Sequence, residues 1–174
     1  MPEYRRSRVP GGVYFLTLVT RNRERQLVAP AVLDALRTSW HRVVRARPAY
    51  AVALVVLPDH LHCVLHLPLG DSDYSTRIRL LKRGVTLELG GDSIWQRRFW
   101  ERTVRDEDEL ERFVQYIYYN PVRHGWVACP HAWPHSSFHR DVRRGRFDRT
   151  WACQCCHGRV GPPDFAGIED LVGE

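Results

Sequence analysis

The chain has 174 residues, 44% of them hydrophobic and 26% charged, which is close to the globular average and allows one domain of ordinary size. No apolar run reaches the roughly 18 residues that a membrane span needs, and the charged N-terminus lacks the apolar core of a secretory signal. Five cysteines, an odd number, argue against a disulfide scaffold, so we expect a cytoplasmic protein without a membrane partner.

The charge favours a polyanion as partner. The formal net charge is +6 at pH 7, and all but Lys82 of the 26 basic residues are arginine. Arginine pairs with phosphate through two parallel hydrogen bonds, and a basic domain of this size most often binds nucleic acid. Codon usage in a GC-rich genome is an alternative explanation of the arginine excess. If the partner is DNA, the protein is expected at the nucleoid.

The predicted elements alternate between strands and helices. A basic arm at residues 1–11 precedes, in chain order, a strand at 13–20, a helix at 31–45, two strands of a hairpin at 50–57 and 61–67, a helix at 72–89 and a short edge strand at 95–104. With one more helix after these, the order predicts an α+β protein. We expect a ferredoxin-like sandwich, in which helices cover a central antiparallel sheet.

The last predicted helix has the clearest boundaries. Asp106 and Glu109, three residues apart, form a capping box at its start, and Pro121 is expected to end it. Residues 1–150 are expected to form one domain. Residues 151–174, a cysteine-rich and then acidic tail, are expected to be partly disordered.

Two histidines flank Leu61 at the start of the second hairpin strand. Side chains two apart on a strand point to one face, so His60 and His62 present two imidazoles side by side. Two neighbouring neutral imidazoles make half of a metal site, although two exposed strand histidines would show the same pattern. His66 lies about 13 Å further along the strand and is interpreted as a surface histidine.

The last helix carries three tyrosines and an asparagine within residues 116–120 (YIYYN). At 100° per residue, Asn120 lies about 40° from Tyr116, whereas Tyr119 lies about 100° and Tyr118 about 160° from Asn120. Only Tyr116 can therefore share a small site with the Asn120 carboxamide, unless this face serves packing alone. Two imidazoles and a carboxamide oxygen can bind a divalent ion, and a tyrosine hydroxyl can form a covalent intermediate.

These motifs resemble those of a known nuclease family. The segment His60-Leu61-His62 is similar to the His-hydrophobic-His signature of HUH single-strand nucleases. Three further stretches resemble the REP-associated tyrosine transposases, a single-tyrosine HUH group: residues 94–102 (IWQRRFWER), 116–125 (YIYYNPVRHG) and 133–137 (WPHSS). The resemblance covers roughly residues 4–147.

The resemblance implies a metal-dependent endonuclease and strand transferase, which acts on palindromic hairpins of single-stranded DNA through a covalent 5′-phosphotyrosine. It implies that His60, His62 and Asn120 bind Mg²⁺ or Mn²⁺ and that Tyr116 is the nucleophile. Members of this type are expected to act as monomers, although a dimer stays open. Asp59 stands where Asn is expected, and either shapes the turn or strengthens metal binding.

The resemblance also implies that the N-terminal region reads a short sequence at the foot of the hairpin. Within residues 95–102, arginines alternate with the aromatic residues Trp95, Phe99 and Trp100. This combination suits unpaired DNA, because arginines neutralise phosphates and aromatic rings stack on bases. Core packing of the aromatics and a solvated basic tail are the alternatives. The candidate DNA-binding residues are Arg5, Arg6, Arg8, Gly11, Gly12, Arg97, Arg98, Arg102, Arg123, Arg143 and Arg144.

Three cysteines and a histidine crowd into residues 153–157 (CQCCH). They could bind zinc, with Cys129 or His131 as further partners. A single cluster with this spacing is, however, unlike the two spaced ligand pairs of most structural zinc sites.

Two other functions stay open at this point. One is a DNA regulator of the same fold that binds palindromes without cutting them, and the other is an RNA-binding module in which the histidines only pack. A chelator separates the first from a nuclease, because it should stop cleavage and leave much of the binding.

Overall fold

In the computed structural model, the described part of the chain comprises residues 8–155, 163–165, 168, 171 and 172. Its main elements are β1 (Val13–Val19), α1 (Pro30–Ala46), β2 (Tyr50–Val56), β3 (His60–His66), α2 (Tyr74–Glu88), β4 (Trp100–Thr103), α3 (Glu107–Arg123) and α4 (Phe138–Arg143). Short 3-10 helices lie at Arg21–Arg23 and Pro130–Ala132. Within the described residues, no helix has the length and apolar character to cross a membrane.

The four strands form one antiparallel sheet in the order β2-β3-β1-β4. With the chain order β-α-β-β-α-β, this is the ferredoxin-like arrangement that the sequence predicts. The strand β3 is central, and His62 lies opposite Thr17 of β1 on one side and opposite Val55 of β2 on the other. The residue pair that the sequence analysis singles out therefore lies in the middle of the sheet.

Helices cover both faces of the sheet. The face that carries Leu16 packs against α1 and α2, and the face that carries Phe15 and Val64 packs against α3 and α4. Because side chains alternate along a strand, His60 and His62 lie on the α3 side. The helix with the predicted tyrosine thus packs directly over the strand with the two histidines.

Helix α3 begins as predicted and ends later than predicted. The Asp106 carboxylate accepts a hydrogen bond from the Glu109 backbone N–H at 2.7 Å, which confirms the helix cap. The prediction that Pro121 ends the helix is wrong, because the helix continues to Arg123. A proline in the last turn removes one backbone hydrogen bond, and burial of Pro121 and Val122 offsets that loss.

The predicted edge strand at 95–104 is shorter than expected. It pairs with β1 in two places, since Trp95 bridges to Thr20 and Trp100 lies opposite Thr17. Two residues of β1 lie between these pairings, whereas four residues lie between them on the partner segment. The extra residues bulge out of the ladder, and only Trp100–Thr103 forms β4.

The described residues of the C-terminal tail pack on the α3 side of the sheet. Ile168 and Val172 are buried in the same cluster as Phe113 and Ile117 of α3. Residues 1–7, which include most of the predicted basic arm, lie outside the described part. The remaining residues of the tail, for which partial disorder was predicted, lie outside it as well.

Candidate active site

The two histidines of β3 form the floor of the site. The rings of His60 and His62 are 4.9 Å apart between centroids, and both side chains are buried. The ring of His62 also stacks on Phe15 at 5.4 Å. Both imidazoles therefore have fixed positions on one face of a central strand.

A hydrogen-bond chain sets the tautomer of His62. The Thr17 hydroxyl has a single proton, and it donates this proton to the Val172 carbonyl at 2.6 Å. Towards His62 the hydroxyl must therefore accept, from Nδ1–H at 2.9 Å. This assignment from the network leaves the lone pair of His62 on Nε2, the nitrogen that can bind a metal.

Asp59 orients His60 in the same way. The Nδ1–H of His60 donates to the Asp59 carboxylate at 2.7 Å, which directs the lone pair to Nε2. Burial raises the pKa of Asp59, but hydrogen bonds from His60 and Arg23 outweigh it, so that the pKa lies below its usual value. The residue at which the sequence departs from the family pattern thus contacts a predicted metal ligand directly.

Helix α3 aligns three polar residues over the histidines, at intervals of four and three residues. The ring of Tyr116 lies edge-on to His62, with 5.6 Å between centroids, and Asn120 is fully buried one turn later. Arg123 donates a hydrogen bond to the Tyr116 hydroxyl at 2.9 Å, and its guanidinium carbon lies 5.5 Å from the centre of that ring. A phenol, a carboxamide and a cation therefore face the same region.

The other two tyrosines point elsewhere. The Tyr118 hydroxyl donates to Asp141 at 2.6 Å, on the α4 side of the helix. The Tyr119 hydroxyl accepts from the Gln154 side chain at 3.3 Å. Their contacts agree with the helical-wheel argument that only Tyr116 can share a site with Asn120.

Two further residues belong to the site that sequence reasoning missed. Thr17 was not singled out, because its contact with His62 depends on the register between β1 and β3, which the sequence does not reveal. The ring of His124 lies 5.4 Å from that of His60. A partial signal for His124 was present, since it follows Asn120 by four residues, but the prediction that the helix ends at Pro121 placed His124 outside it.

The donor set fits a divalent metal ion. His60 and His62 each offer a neutral ring nitrogen, and Asn120 offers a carboxamide oxygen. The Thr17 and Asp59 contacts with the two imidazoles are of the kind that orients histidines in known metal sites. Three ligands of this kind leave coordination positions open for a phosphate oxygen.

The tail covers the Tyr116 side of the site. The ring of Phe165 lies edge-on to Tyr116, with 5.4 Å between centroids, and 5.7 Å from Tyr119. The carbonyl of Leu171 accepts from the Trp100 indole at 2.8 Å, and that of Val172 accepts from Thr17. Tyr116 is fully buried in this arrangement, and the ring of Phe165 contributes to that burial.

The glycines predicted to contact DNA have a role in the fold itself. Gly11 has a φ of +68°, and its N–H donates to the Asp71 carbonyl at 2.8 Å. A Cβ at Gly12 would lie 2.8 Å from the Val9 carbonyl oxygen. The Tyr14 hydroxyl accepts from the Val9 N–H at 2.7 Å and donates to the Val9 carbonyl at 2.8 Å. The turn is therefore held tightly at the base of the arm.

The candidate arginines divide by exposure. Arg102 pairs with Glu109 at 2.6 Å and would have to exchange this partner for a phosphate. The Arg144 guanidinium donates to the Tyr50 hydroxyl at 3.1 Å. Arg5 and Arg6 lie outside the described residues. Those that are exposed at the surface are Arg8, Arg97, Arg98, Arg123, Arg143 and Arg144.

Of the aromatics that alternate with arginine, most belong to the core. Trp95 is 3% exposed and Phe99 packs against the α1–α2 cluster, as the packing alternative predicts. Trp100 is 41% exposed, so it is the member of this stretch with a ring surface at which a base can stack.

Comparisons with known proteins identify the family of this chain. The chain is 46% identical over 152 residues to a REP-associated tyrosine transposase of Escherichia coli, which spans 87% of this chain and 92% of the relative. A Haemophilus influenzae protein given the same family name is 37% identical over 165 residues, spanning 87% and 93%. A solved structure of a REP-associated tyrosine transposase bound to a REP hairpin superposes with a TM-score of 0.83. It is 43% identical and covers 94% of this chain and 99% of that one. No family model matches the sequence.

Proposed function

This chain belongs to the REP-associated tyrosine transposases, and from that premise we propose how its own residues cut and rejoin DNA. The substrate in this proposal is a hairpin formed by a palindrome in single-stranded DNA. The nucleophile is Tyr116, and the ligands of the metal are His60, His62 and Asn120. The observation that carries the proposal is the packing of Tyr116 against His62, with Arg123 bound to its hydroxyl.

The reaction is a transfer of a phosphoryl group to tyrosine and back. The Tyr116 hydroxyl oxygen attacks the scissile phosphorus, the bond from phosphorus to the 3′ oxygen breaks, and a 5′-phosphotyrosine forms. The phenol loses one proton and the leaving 3′ oxygen gains one, so that protons and electrons balance. The ester keeps the energy of the broken bond, and a 3′-hydroxyl can therefore attack it to rejoin a strand.

A divalent ion, Mg²⁺ or Mn²⁺, would polarise a phosphoryl oxygen when bound by the two histidines and Asn120. The chain's own contribution is orientation and charge. Thr17 and Asp59 hold the imidazoles with Nε2 towards the site. Arg123 places its positive charge beside the Tyr116 hydroxyl oxygen, where it would stabilise the phenolate that attacks.

Exposed arginines would hold the DNA around this centre. In the proposal, Arg8 at the base of the arm contacts the foot of the hairpin. Arg97 and Arg98, which are exposed in the bulge before β4, contact the unpaired strand beside Trp100. In the proposal the protein acts as a monomer, as the resemblance to the family implies, and a dimer is the alternative.

The test is a covalent adduct. We expect the protein to form a denaturation-resistant adduct with a labelled hairpin oligonucleotide in the presence of Mn²⁺ or Mg²⁺. Tyr116→Phe should abolish the adduct, and the matched variants Tyr118→Phe and Tyr119→Phe should keep it. The assignment fails if Tyr116→Phe still forms the adduct while one of the neighbouring variants has lost it.

Chelation distinguishes cutting from binding alone. A chelator should stop adduct formation and leave most of the hairpin affinity. Binding should weaken with salt, with a log–log slope of about −0.7 for each phosphate contacted on a single strand. A protein that binds the hairpin equally well but forms no adduct with any divalent ion would act as a palindrome-binding regulator instead.

A further inference from the structure

A second group of metal-binding side chains lies apart from the histidines of β3. Cys129 precedes the 3-10 helix at Pro130–Ala132, and Cys153 lies in the loop after α4. The sulfur atoms of these two cysteines are at bonding distance. The ligand atoms of Cys129, His131 and Cys153 all lie within 4.8 Å of one another, and both of these cysteines are buried.

A fourth ligand completes the group. The sulfur of Cys155 lies 2.8 Å from that of Cys129, and Nδ1 of His131 lies 3.7 Å from the sulfur of Cys153. A disulfide between Cys129 and Cys153 would use two of these side chains and leave the convergence of the other two without an explanation. Three of these ligand atoms lie close to one another, and Cys155 adjoins them through Cys129. Three cysteine sulfurs and one imidazole are a ligand set of structural zinc sites.

We propose that Cys129, His131, Cys153 and Cys155 bind one structural Zn²⁺ in the reduced protein. In a tetrahedral site with bonds of about 2.3 Å to sulfur and 2.0 Å to nitrogen, sulfur and nitrogen lie about 3.5 Å apart and two sulfurs about 3.8 Å. The His131–Cys153 distance of 3.7 Å is close to the first value. On binding, the sulfurs of Cys129 and Cys155 separate by about 1 Å, and those of Cys129 and Cys153, which lie at bonding distance, separate by more. Binding releases three thiol protons and transfers no electrons.

The ligands come in two pairs, each separated by one residue. The sequence shows only the 153–157 cluster as crowded, and folding supplies the second pair, Cys129 and His131. Cys156 and His157, the other members of the 153–157 cluster, lie outside the described residues and are not among the proposed ligands.

The backbone holds the two pairs together independently of the metal. The Gln154 N–H donates to the Ala128 carbonyl at 2.9 Å. Ala152 is buried against Tyr119 and Val122 near the end of α3. The zinc ion would therefore fasten the start of the tail to the segment that follows α3, the helix that carries Tyr116.

The experiment measures metal content and needs no activity. The full chain, without a histidine tag, is purified under reducing conditions without chelator, and its metals are quantified by mass spectrometry. We expect one zinc per chain. After replacement by Co²⁺, we expect the visible absorption bands of a tetrahedral thiolate site.

Cys155→Ser is the decisive variant, because Cys155 is exposed and a disulfide between Cys129 and Cys153 does not need it. If the four residues bind zinc, the Cys155→Ser variant should lose the stoichiometric zinc and the thiolate-to-cobalt bands. If Cys129 and Cys153 instead form a disulfide, the metal content of the variant should equal that of the wild type. Cys63→Ala is the matched control, since Cys63 lies in β3 on the other face of the sheet, and it should keep the metal. Circular dichroism verifies that both variants are folded.

Two results would overturn the proposal. One is a reduced wild-type protein that retains no zinc after incubation with Zn²⁺ and desalting. The other is a folded Cys155→Ser protein that binds zinc as the wild type does. Because the readout is metal content, neither result bears on the cleavage chemistry at Tyr116.

Discussion

Replacing Thr17 by valine tests the histidine site through a residue that is not itself a ligand. The change keeps the size of the side chain and removes the hydroxyl that accepts from His62 and donates to Val172. Without it, the imidazole of His62 no longer has a reason to keep its proton on Nδ1. A proton on Nε2 would remove the lone pair that binds the metal.

The expected magnitude follows from these two hydrogen bonds. Loss of an outer partner of a metal-binding histidine typically costs about 10- to 100-fold in metal affinity or activity. Thr17 is fully buried, so its removal also leaves buried polar groups without their partner, at a cost of about 1–3 kcal/mol in unfolding free energy. For a chain of this length, that corresponds to a fall in Tm of about 2–12 °C.

The assay is the Mn²⁺ concentration that gives half-maximal adduct formation with a hairpin oligonucleotide. It should rise about 10- to 100-fold in Thr17→Val. Thr17→Ser, which keeps the hydroxyl, should stay close to the wild type. If Thr17→Val is folded and shows the wild-type dependence on Mn²⁺, the hydrogen bond does not orient a ligand and the argument from the tautomer of His62 is refuted.

Four further outcomes follow from contacts described above. Tyr118→Phe should lower the unfolding free energy by about 1–3 kcal/mol in denaturant titrations, because the buried Asp141 loses a donor, yet leave adduct formation intact. Burial raises the pKa of Asp141, but hydrogen bonds from an arginine and from Tyr118 outweigh it, and the folded-state pKa is lowered. Stability from this carboxylate is therefore present above its unfolded pKa of about 3.9 and lost as the pH falls through the lowered value, and Asp141→Asn should flatten that part of a pH–stability curve. Arg123→Gln should slow adduct formation by about 100-fold at unchanged Tm, measured under single-turnover conditions, because the Tyr116 hydroxyl loses its charged donor. Phe165→Ala should speed adduct formation several-fold at equal hairpin affinity, because the tail ring at 5.4 Å no longer packs against Tyr116, and an unchanged rate would contradict this.

Local periodicity was enough to predict the parts of the site that lie on one element. The alternation along β3 predicts that His60 and His62 share a face, and the helical wheel of α3 separates Tyr116 from the other tyrosines. Both inferences use neighbours within a few residues, for which the geometry of a strand or a helix fixes direction. The resemblance to the family joined the two elements before any fold was available.

Contacts between distant segments could not be predicted in this way. The Thr17–His62 hydrogen bond depends on strand register, and the Cys129–Cys155 contact joins residues from either side of α4. The predicted end of helix α3 was wrong because local preference disfavours a proline inside a helix. Burial of Pro121, a tertiary effect, stabilises the helix beyond it. The bulge before β4 arises from a mismatch in residue count between two strands, which no periodicity shows.

The double contact of the Tyr14 hydroxyl with Val9 has a consequence for DNA binding. One side chain holds both the N–H and the carbonyl of the same arm residue, so the backbone leaves the sheet at a fixed point and in a fixed direction. Arg8 follows directly outside this clamp, and ordering one backbone residue costs about 1–2 kcal/mol. Folding has already met that cost at Val9, so a phosphate contact by Arg8 retains more of its favourable free energy than the same contact on a freely hinged arm.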